Sequence, residues 1–251
     1  HYLNGRGVDK NAQKAFGHYM QAAFQEDPYA QYMVSVLYAK GIGVPFSLEH
    51  SVYWYRKADK LSGNAVGKYR VARNFEKGLG FKKDIHQAMR WYQLSADQGL
   101  AQAQNELGEI YCEGKGIPKD YAKAIEWFAK AADQESAFGQ YNLGMMYYNG
   151  FGVSMDREKA LELFTKAATQ GADYAQYNVA QMYYDGLGSN QDDAQAYAWW
   201  SISADNRFEQ MHQDLRDLID RMGPNQRVRA MDLASALQAN FDRPEEVVEQ
   251  P

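Results

Sequence analysis

The 251-residue sequence is poor in the residues on which several protein classes depend. It has one cysteine, Cys112, so it cannot form an internal disulfide, and cysteine usage leaves its compartment open. It has six prolines and 45% hydrophobic residues, a composition that excludes collagen and an extended disordered chain. No apolar run approaches the roughly 18 residues that a membrane-spanning helix needs, so we expect no membrane insertion.

An excess of positive charge is also missing. The chain has 27 Lys+Arg against 32 Asp+Glu, a net charge of −5, and no block of basic residues. Proteins that coat nucleic acid or an anionic membrane surface carry clustered positive charge. We therefore expect neither nucleic acid nor a membrane surface as a partner.

The sequence has few arrangements of residues that could bind a metal or carry out catalysis. The five histidines show no His-x-His or His-x-x-x-His spacing, and Cys112 has no cysteine partner, so we expect no metal site and no cofactor. Glu109 and Glu113 stand at i, i+4, but two carboxylates on an exposed helix face are more often solvated than catalytic. We predict that the chain is not an enzyme and has no catalytic residues.

What the sequence does contain is a repeat. A Tyr/Phe-x-x-Gly-x-Gly signature recurs six times at a period of 36 or 37 residues. It takes 12 of the 21 glycines, which makes glycine a periodic turn residue here. None of these glycine pairs follows a strand or carries the Lys-Ser/Thr of a phosphate-binding loop. The first glycines of the six copies are Gly5, Gly41, Gly78, Gly114, Gly150 and Gly186.

Each copy predicts a helical hairpin. Six residues after each first glycine stands an Asn, Ser or Asp that can cap a helix. That helix, which we name helix B, places a small residue before an aromatic pair, as in Ala88 with Trp91 and Tyr92. Helix A precedes each signature, with Leu143 and Tyr147 at i, i+4 in the fifth copy. One hairpin cannot bury both faces, so we expect the copies to stack into a solenoid.

These residues resemble the Sel-1-like repeat, a relative of the tetratricopeptide repeat. The resemblance covers roughly residues 1 to 205 and is closest over residues 137 to 171. The matching positions there are Leu143-Gly144, Tyr147, Gly150, Gly152-Val153, Asp156, Lys159-Ala160, Lys166-Ala167-Ala168 and Gly171. The resemblance implies an all-α fold, a right-handed superhelical solenoid of about six helix-turn-helix repeats.

The chain divides into three predicted segments. Residues 1–205 form the repeat array, whose first repeat lacks helix A, so we expect the natural protein to be longer. Residues 206–241 resemble a C-terminal cap of two helices, in which Gly223-Pro224 separates two apolar patterns that begin at Phe208 and Val228. Residues 242–251 are acidic and are predicted to be a disordered tail. The oligomeric state is not predicted.

The resemblance implies a non-enzymatic scaffold or adaptor, a bacterial regulatory or envelope-assembly factor. By analogy with tetratricopeptide repeats, helix A lines a concave groove, where we expect a partner protein or peptide to bind. Tyr, Met and Arg are enriched in such interfaces. The predicted groove residues are Tyr29, Tyr32, Lys40, Tyr69, Arg73, Lys77, Asn105, Glu109, Glu113, Phe138, Tyr141, Met145, Tyr148, Tyr174, Tyr177, Gln181 and Tyr184.

Three alternatives stay open at this point. The groove tyrosines either contact a partner or pack between adjacent A helices, and Tyr141 and Tyr177 match a position where the family favours tyrosine. An aromatic groove also suits sugar rings, so the alternative function is a glycan-binding or cell-wall polysaccharide-binding scaffold of the periplasm. The periplasm is favoured over the cytoplasm because many members carry export signals. Disulfide-rich members that bind or cleave penicillin-like compounds carry a cysteine pair in each repeat, which this chain lacks.

Overall fold

The computed structural model describes residues 11–61, 65–78, 83–203 and 209–241. Within these ranges the chain forms thirteen α-helices and no strand, which confirms the all-α prediction. No helix in the described part is long and apolar enough to cross a membrane. The helices are α1 (Ala12–Phe24), α2 (Pro28–Lys40), α3 (Leu48–Leu61), α4 (Ala65–Lys77), α5 (Ile85–Ala96), α6 (Ala101–Glu113), α7 (Tyr121–Ala132), α8 (Ala137–Asn149), α9 (Arg157–Thr169), α10 (Asp173–Asp185), α11 (Asp193–Ile202), α12 (Glu209–Arg221) and α13 (Pro224–Phe241).

The even-numbered helices are the A helices, and they keep a strict register. Each has 13 residues, and they begin at residues 28, 65, 101, 137, 173 and 209. The last of these, α12, lies in the segment predicted as the cap and lacks the glycine signature. It nevertheless begins 36 residues after α10, so the first cap helix continues the period of the array.

The ends of the helices follow the repeated signature. The A helices α2, α6, α8 and α10 each end at a glycine in the left-handed conformation, with φ between 63° and 70°. Each helix B then begins at a capping side chain, such as Asp156, whose Oδ1 accepts from the Lys159 amide at 2.9 Å. The Asp156 amide in turn donates to the Tyr147 carbonyl at 3.0 Å and closes the loop between the two helices. The six predicted caps all accept such a bond: Asn11, Ser47, Asp84, Asp120, Asp156 and Asp192.

The second glycine of the signature joins consecutive repeats. A Cβ on Gly43 would overlap the Ala12 carbonyl at the start of α1, and a Cβ on Gly188 would overlap the Arg157 carbonyl at the start of α9. Both glycines also have positive φ, 71° and 77°. Only glycine meets both conditions, so each loop can lie on the first turn of helix B of the preceding repeat.

Buried glutamines tie helix A to the end of the preceding helix B, a feature that the sequence analysis missed. The Nε2 atoms of Gln31, Gln104 and Gln176 donate to the carbonyls of residues 23, 96 and 168, at 3.0, 3.2 and 3.3 Å. The last carbonyls of a helix have no partner within that helix. Each glutamine therefore adds a second hydrogen bond to a carbonyl that already accepts from the backbone amide of residue 26, 99 or 171.

The chain forms two compact units, residues 1–127 and 128–251. Each has its own core, in which the aromatic pairs of the B helices are prominent. Trp91 and Tyr92 are buried among Val71, Leu107 and Ile110 in unit 1. In unit 2 the buried residues include Phe164, Val179, Met182, Trp199, Trp200, Leu218 and Met222, so the core of that unit includes side chains of α12.

Candidate functional site

In unit 1 the structure corrects two of the predicted groove residues. Tyr32 is only 5% exposed, and its ring packs against Phe75 at 5.8 Å and Trp91 at 5.4 Å. Asn105 is 7% exposed and donates through Nδ2 to Glu109 Oε1 at 2.9 Å. Both side chains lie largely in the interior, although Tyr177, at the same position of its own repeat, is 40% exposed. Asn105 therefore offers a partner little surface, and Tyr32 contributes only to the lining of an open cavity.

The other predicted residues of unit 1 form a mainly polar surface. The Tyr69 hydroxyl donates to Glu106 Oε1 at 3.1 Å, and Arg73 Cζ lies 5.8 Å from the Tyr69 ring centroid. Glu109 and Glu113 both lie near Lys115 Nζ, at 3.7 and 3.3 Å. Lys40, Arg73 and Lys77 are exposed, and the half-buried Tyr29 meets Tyr19 edge-on at 6.1 Å.

Burial raises the pKa values of two side chains on this surface. It raises the pKa of the Glu106 carboxyl, and the negative charges of Glu109 and Glu76 raise it further. It also raises the pKa of Tyr69 to about 12, with Glu106 as the next cause. The Tyr92 hydroxyl donates to Glu76 Oε2 at 2.8 Å. Two tyrosine hydroxyls and two carboxylates of unit 1 are therefore paired with each other.

In unit 2 the structure brings eight predicted residues to neighbouring positions on α8 and α10. Equivalent side chains of the two helices are 36 residues apart, as in Phe138 and Tyr174 or Tyr148 and Tyr184, and both helices pack in the core of unit 2. We name this set the aromatic face: Phe138, Tyr141, Met145, Tyr148, Tyr174, Tyr177, Gln181 and Tyr184.

The rings of the aromatic face support one another. Phe138 is 58% exposed and stacks on Tyr174, with centroids 5.6 Å apart and planes inclined by 24°. Tyr174 meets Tyr141 edge-on at 4.5 Å. Asn178 Nδ2 donates to the Tyr141 hydroxyl at 3.1 Å, a bond between consecutive repeats. Burial raises the pKa of Tyr174 to about 12, and Tyr141 and Asp173 add to the shift.

Each helix of the face places two tyrosines around an aromatic ring of helix B. Tyr141 and Tyr148 lie 5.3 and 6.3 Å from Phe164. Tyr177 and Tyr184 lie 6.4 and 5.3 Å from Trp200. These tyrosines pack inward on one side, yet Tyr177 remains 40% exposed and the other three are half-buried. Inter-helix packing and surface exposure therefore coexist in the same residues.

Two arginines that the sequence analysis missed lie over tyrosines of the face. Arg221 Cζ is 4.5 Å from the Tyr184 ring centroid, and its Nη1 donates to the Tyr184 hydroxyl at 3.2 Å. Arg157 Cζ is 5.6 Å from the Tyr148 ring centroid. Arg221 was missed because α12 lacks the signature, although counting 36 residues on from Asp185 would have reached it.

Two open cavities of the described residues lie beside loops of the repeats. One of about 630 Å³ in unit 1 includes Tyr32, Lys40, Phe75 and His86 in its lining. One of about 550 Å³ in unit 2 includes Val153, Met155 and Arg157. Within the described part of the chain, no group of three His, Cys, Asp or Glu side chains is placed to hold a metal ion. The exposed aromatic rings are thus the most distinctive feature of the surface.

Comparison with known proteins identifies the family to which this repeat architecture belongs. The Sel1 repeat model matches residues 1–25, 28–58, 65–100, 101–136, 137–171 and 173–207. The chain belongs to the Sel1 repeat family. The fold of this family is generally a non-enzymatic scaffold, and Sel1 repeat proteins bind other proteins.

The solved structures that this chain resembles include two bacterial proteins. A Sel1 repeat protein from Oxalobacter formigenes is 28% identical, with a TM-score of 0.62, over 96% of this chain and 94% of its own. The protein c5321, a protective antigen present in uropathogenic Escherichia coli strains, is 25% identical, with a TM-score of 0.47. That match covers 100% of this chain and 64% of c5321.

Proposed function

We propose that this Sel1 repeat protein is a non-enzymatic scaffold that binds a partner protein or peptide on the aromatic face of unit 2. The observation that carries the proposal is the pair Phe138 and Tyr174, in which a ring that is 58% exposed is fixed by a second ring. Large exposed rings beside Tyr and Met side chains are typical of the centres of protein interfaces.

The packing of the face favours tight binding. Tyr141, Tyr148 and Tyr184 already contact Phe164 or Trp200, so their rings lose little rotational freedom when a partner arrives. Each square ångström of apolar area that the partner then covers contributes about 25 cal/mol. A rigid aromatic surface therefore contributes more net affinity than an equal area of mobile side chains.

In this proposal the exposed charges of the chain change the rate at which the partner associates. Lys40, Arg73 and Lys77 are exposed, while Glu109 and Glu113 are near Lys115. Exposed charges of this kind contribute little free energy but change the association rate. We propose that they give binding a dependence on salt, which is largest in the association rate constant.

The alternative is a glycan-binding scaffold. Such a site needs an open flat ring with polar groups beside it that can bond to sugar hydroxyls. Phe138 supplies the ring, but the nearby Tyr141 hydroxyl already accepts from Asn178 Nδ2, and Gln181 Nε2 already donates to Asp185 at 2.8 Å. A protein partner is therefore better supported. Saturable binding of soluble cell-wall oligosaccharides in calorimetry would favour the glycan instead.

The test removes the two most exposed rings of the aromatic face and leaves its other four rings in place. We expect Phe138→Ser combined with Tyr177→Ser to weaken partner binding at least about tenfold, because interface anchors typically contribute more than 1 kcal/mol each. Partners are captured from extracts of the native source with wild type and the variant, identified by mass spectrometry and measured again with the purified pair. The identity of the partner would also test the proposed regulatory or envelope-assembly role and the expected periplasmic location.

The matched control is Phe46→Ser, which removes a ring that is 62% exposed in unit 1. Its capture profile should equal that of wild type. The thermal melts of all three proteins, followed by helical circular dichroism, should agree within a few degrees. Identical capture by wild type and the double variant would place the binding surface elsewhere.

A further inference from the structure

Tyrosine hydroxyls of the aromatic face have protons to donate and no acceptor for them among the described residues. Tyr148 and Tyr174 make ring contacts but no hydrogen bond within the described part of the chain. The Tyr141 hydroxyl accepts from Asn178 Nδ2 at 3.1 Å, so its own proton is still available. A partner that covers these hydroxyls must supply acceptors, because a buried donor without an acceptor is costly.

The aromatic face has no formal charge. Its eight residues are five tyrosines, one phenylalanine, one methionine and one glutamine. The glutamine, Gln181, already donates to Asp185 at 2.8 Å. A partner therefore needs no charged side chain to match these residues. It needs hydrogen-bond acceptors that lie beside apolar surface.

Among backbone conformations, polyproline II meets this requirement best. The carbonyls of an α-helix bond within the helix. A β-strand has free carbonyls, but each of its residues other than proline also brings an N–H that needs an acceptor. The carbonyls of a polyproline II helix have no internal partner, and proline has no N–H. Proline-rich segments also dock on surfaces lined with aromatic rings.

The rings of the face repeat at a distance that suits the same conformation. Phe138 and Tyr174 are equivalent residues of α8 and α10, as are Tyr141 and Tyr177. Tyr174 contacts Phe138 and Tyr141 at 5.6 and 4.5 Å, so the two helices pack side by side. Packed helices lie about 8–10 Å apart. One turn of polyproline II has three residues and advances about 9 Å, so a segment that crosses both helices meets equivalent rings with every third residue.

We infer that the aromatic face binds a proline-rich segment in the polyproline II conformation, which lies across α8 and α10 with a proline at every third position on the rings. Hydroxyls such as that of Tyr174 donate to its carbonyls. This inference rests on the proposed function, because it states the chemistry of the segment that the aromatic face binds. Both surfaces are ordered before they meet, so association costs little conformational entropy.

The first test compares two alanine peptides of about ten residues, with proline at every third or at every second position. Each has a fluorescein label and is titrated with the whole chain by fluorescence anisotropy. We expect proline at every third position to bind at least about fivefold more tightly, because only then do the prolines lie along one side of the segment. The other peptide has more prolines and is stiffer, so affinity that follows rigidity alone gives the opposite order.

The second test removes one hydroxyl and keeps its ring. Tyr174→Phe should weaken binding of the tighter peptide about fivefold, as expected for the loss of one neutral hydrogen bond. Tyr53→Phe, at a position of α3 that is 53% exposed, is the matched control and should bind as wild type does. The melts of both variants should equal that of wild type, because neither hydroxyl bonds to the described part of the chain.

The outcomes separate this inference from the proposed function. Proline peptides that do not bind, or that bind in the opposite order, would overturn the inference even where the captured partner still needs Phe138 and Tyr177. A captured partner that binds the face through a helix would have the same effect. Equal binding of the tighter peptide to wild type and to the Phe138→Ser, Tyr177→Ser variant would place the peptide on another surface. If the captured partner also binds both proteins equally, the proposed function fails as well.

Discussion

At the scale of single residues, the two units differ in the hydrogen bonds that their buried aromatic side chains make. In unit 1, Tyr69 donates to Glu106 and Tyr92 donates to Glu76, so two carboxylates lie within one partly buried group. In unit 2 the equivalent of Tyr92 is Trp200, whose Nε1 is buried without a hydrogen-bond partner. Acidic side chains are thus integrated into the α4–α6 side of unit 1. In unit 2 the position of Glu76 holds Tyr148 and Tyr184, and that of Glu106 holds Asn142 and Asn178.

Glu106 should make the stability of unit 1 depend on pH. Its pKa is raised by burial first, so the folded state binds the proton more tightly than the unfolded state does. This contribution therefore favours folding at low pH, and it declines as the pH rises from the unfolded-state pKa through the higher folded-state pKa. We expect Glu106→Gln to be more resistant to urea than wild type at pH 7, with the difference shrinking at pH 4.

Urea titrations of both proteins at the two pH values check this prediction. Glu126→Gln, at an exposed position of α7, is the control and should change the midpoint little at either pH. A Glu106→Gln protein that is less stable than wild type at pH 7 would show that the bond from Tyr69 outweighs the cost of burying the charge.

At the scale of helices and loops, most of the structure follows from local sequence. Capping residues such as Asp156 and left-handed glycines such as Gly150 act within a few residues, so their roles are legible in the sequence. The inward position of Tyr32 is not, because it depends on Phe75 and Trp91, which come from other helices. Arg221 reaches Tyr184 from a helix without the signature, so its contact also needed the structure.

Close approach between repeats should make the second glycine of the signature the least replaceable. Gly188→Ala places a methyl group against the Arg157 carbonyl in addition to adopting φ of 77°. We expect it to lower the free energy of unfolding by about 2–4 kcal/mol, of which left-handed backbone strain supplies about 1–2 kcal/mol. The measurement is a urea titration followed by circular dichroism.

Gly99→Ala is the matched control for this prediction. Gly99 also has positive φ, 87°, but a Cβ there meets nothing within 4 Å. It should therefore show the strain alone, about 1–2 kcal/mol. Equal losses for the two variants would mean that the loop at Gly188 moves away from α9 at no cost.

At the scale of the whole molecule, α12 and α13 are predicted to cap the array, because a repeat array must cover its last apolar face. Leu218 of α12 is 1% exposed and Met222 is 3% exposed, both in the core that includes Trp199 and Trp200. Arg229 of α13 also pairs with Asp192, the cap of α11, at 2.7 Å. The aromatic face therefore depends on α12 for its packing as well as for Arg221.

Loosening the cap should destabilise unit 2 before unit 1. We expect Leu218→Ala to cost about 2–4 kcal/mol, because it leaves a cavity in the core that includes Trp199 and Trp200. Nearest-neighbour coupling then spreads the loss through α10 and α11, whereas α1–α6 have their own core. Hydrogen exchange read by mass spectrometry should show faster exchange in α10–α13 and unchanged exchange in α1–α6.

Met231→Ala, at a side chain of α13 that is 52% exposed, should leave the exchange of both units unchanged. Equal acceleration in both units by Leu218→Ala would show instead that they unfold as one cooperative body, and binding defects in unit 2 could then arise from substitutions anywhere in the chain.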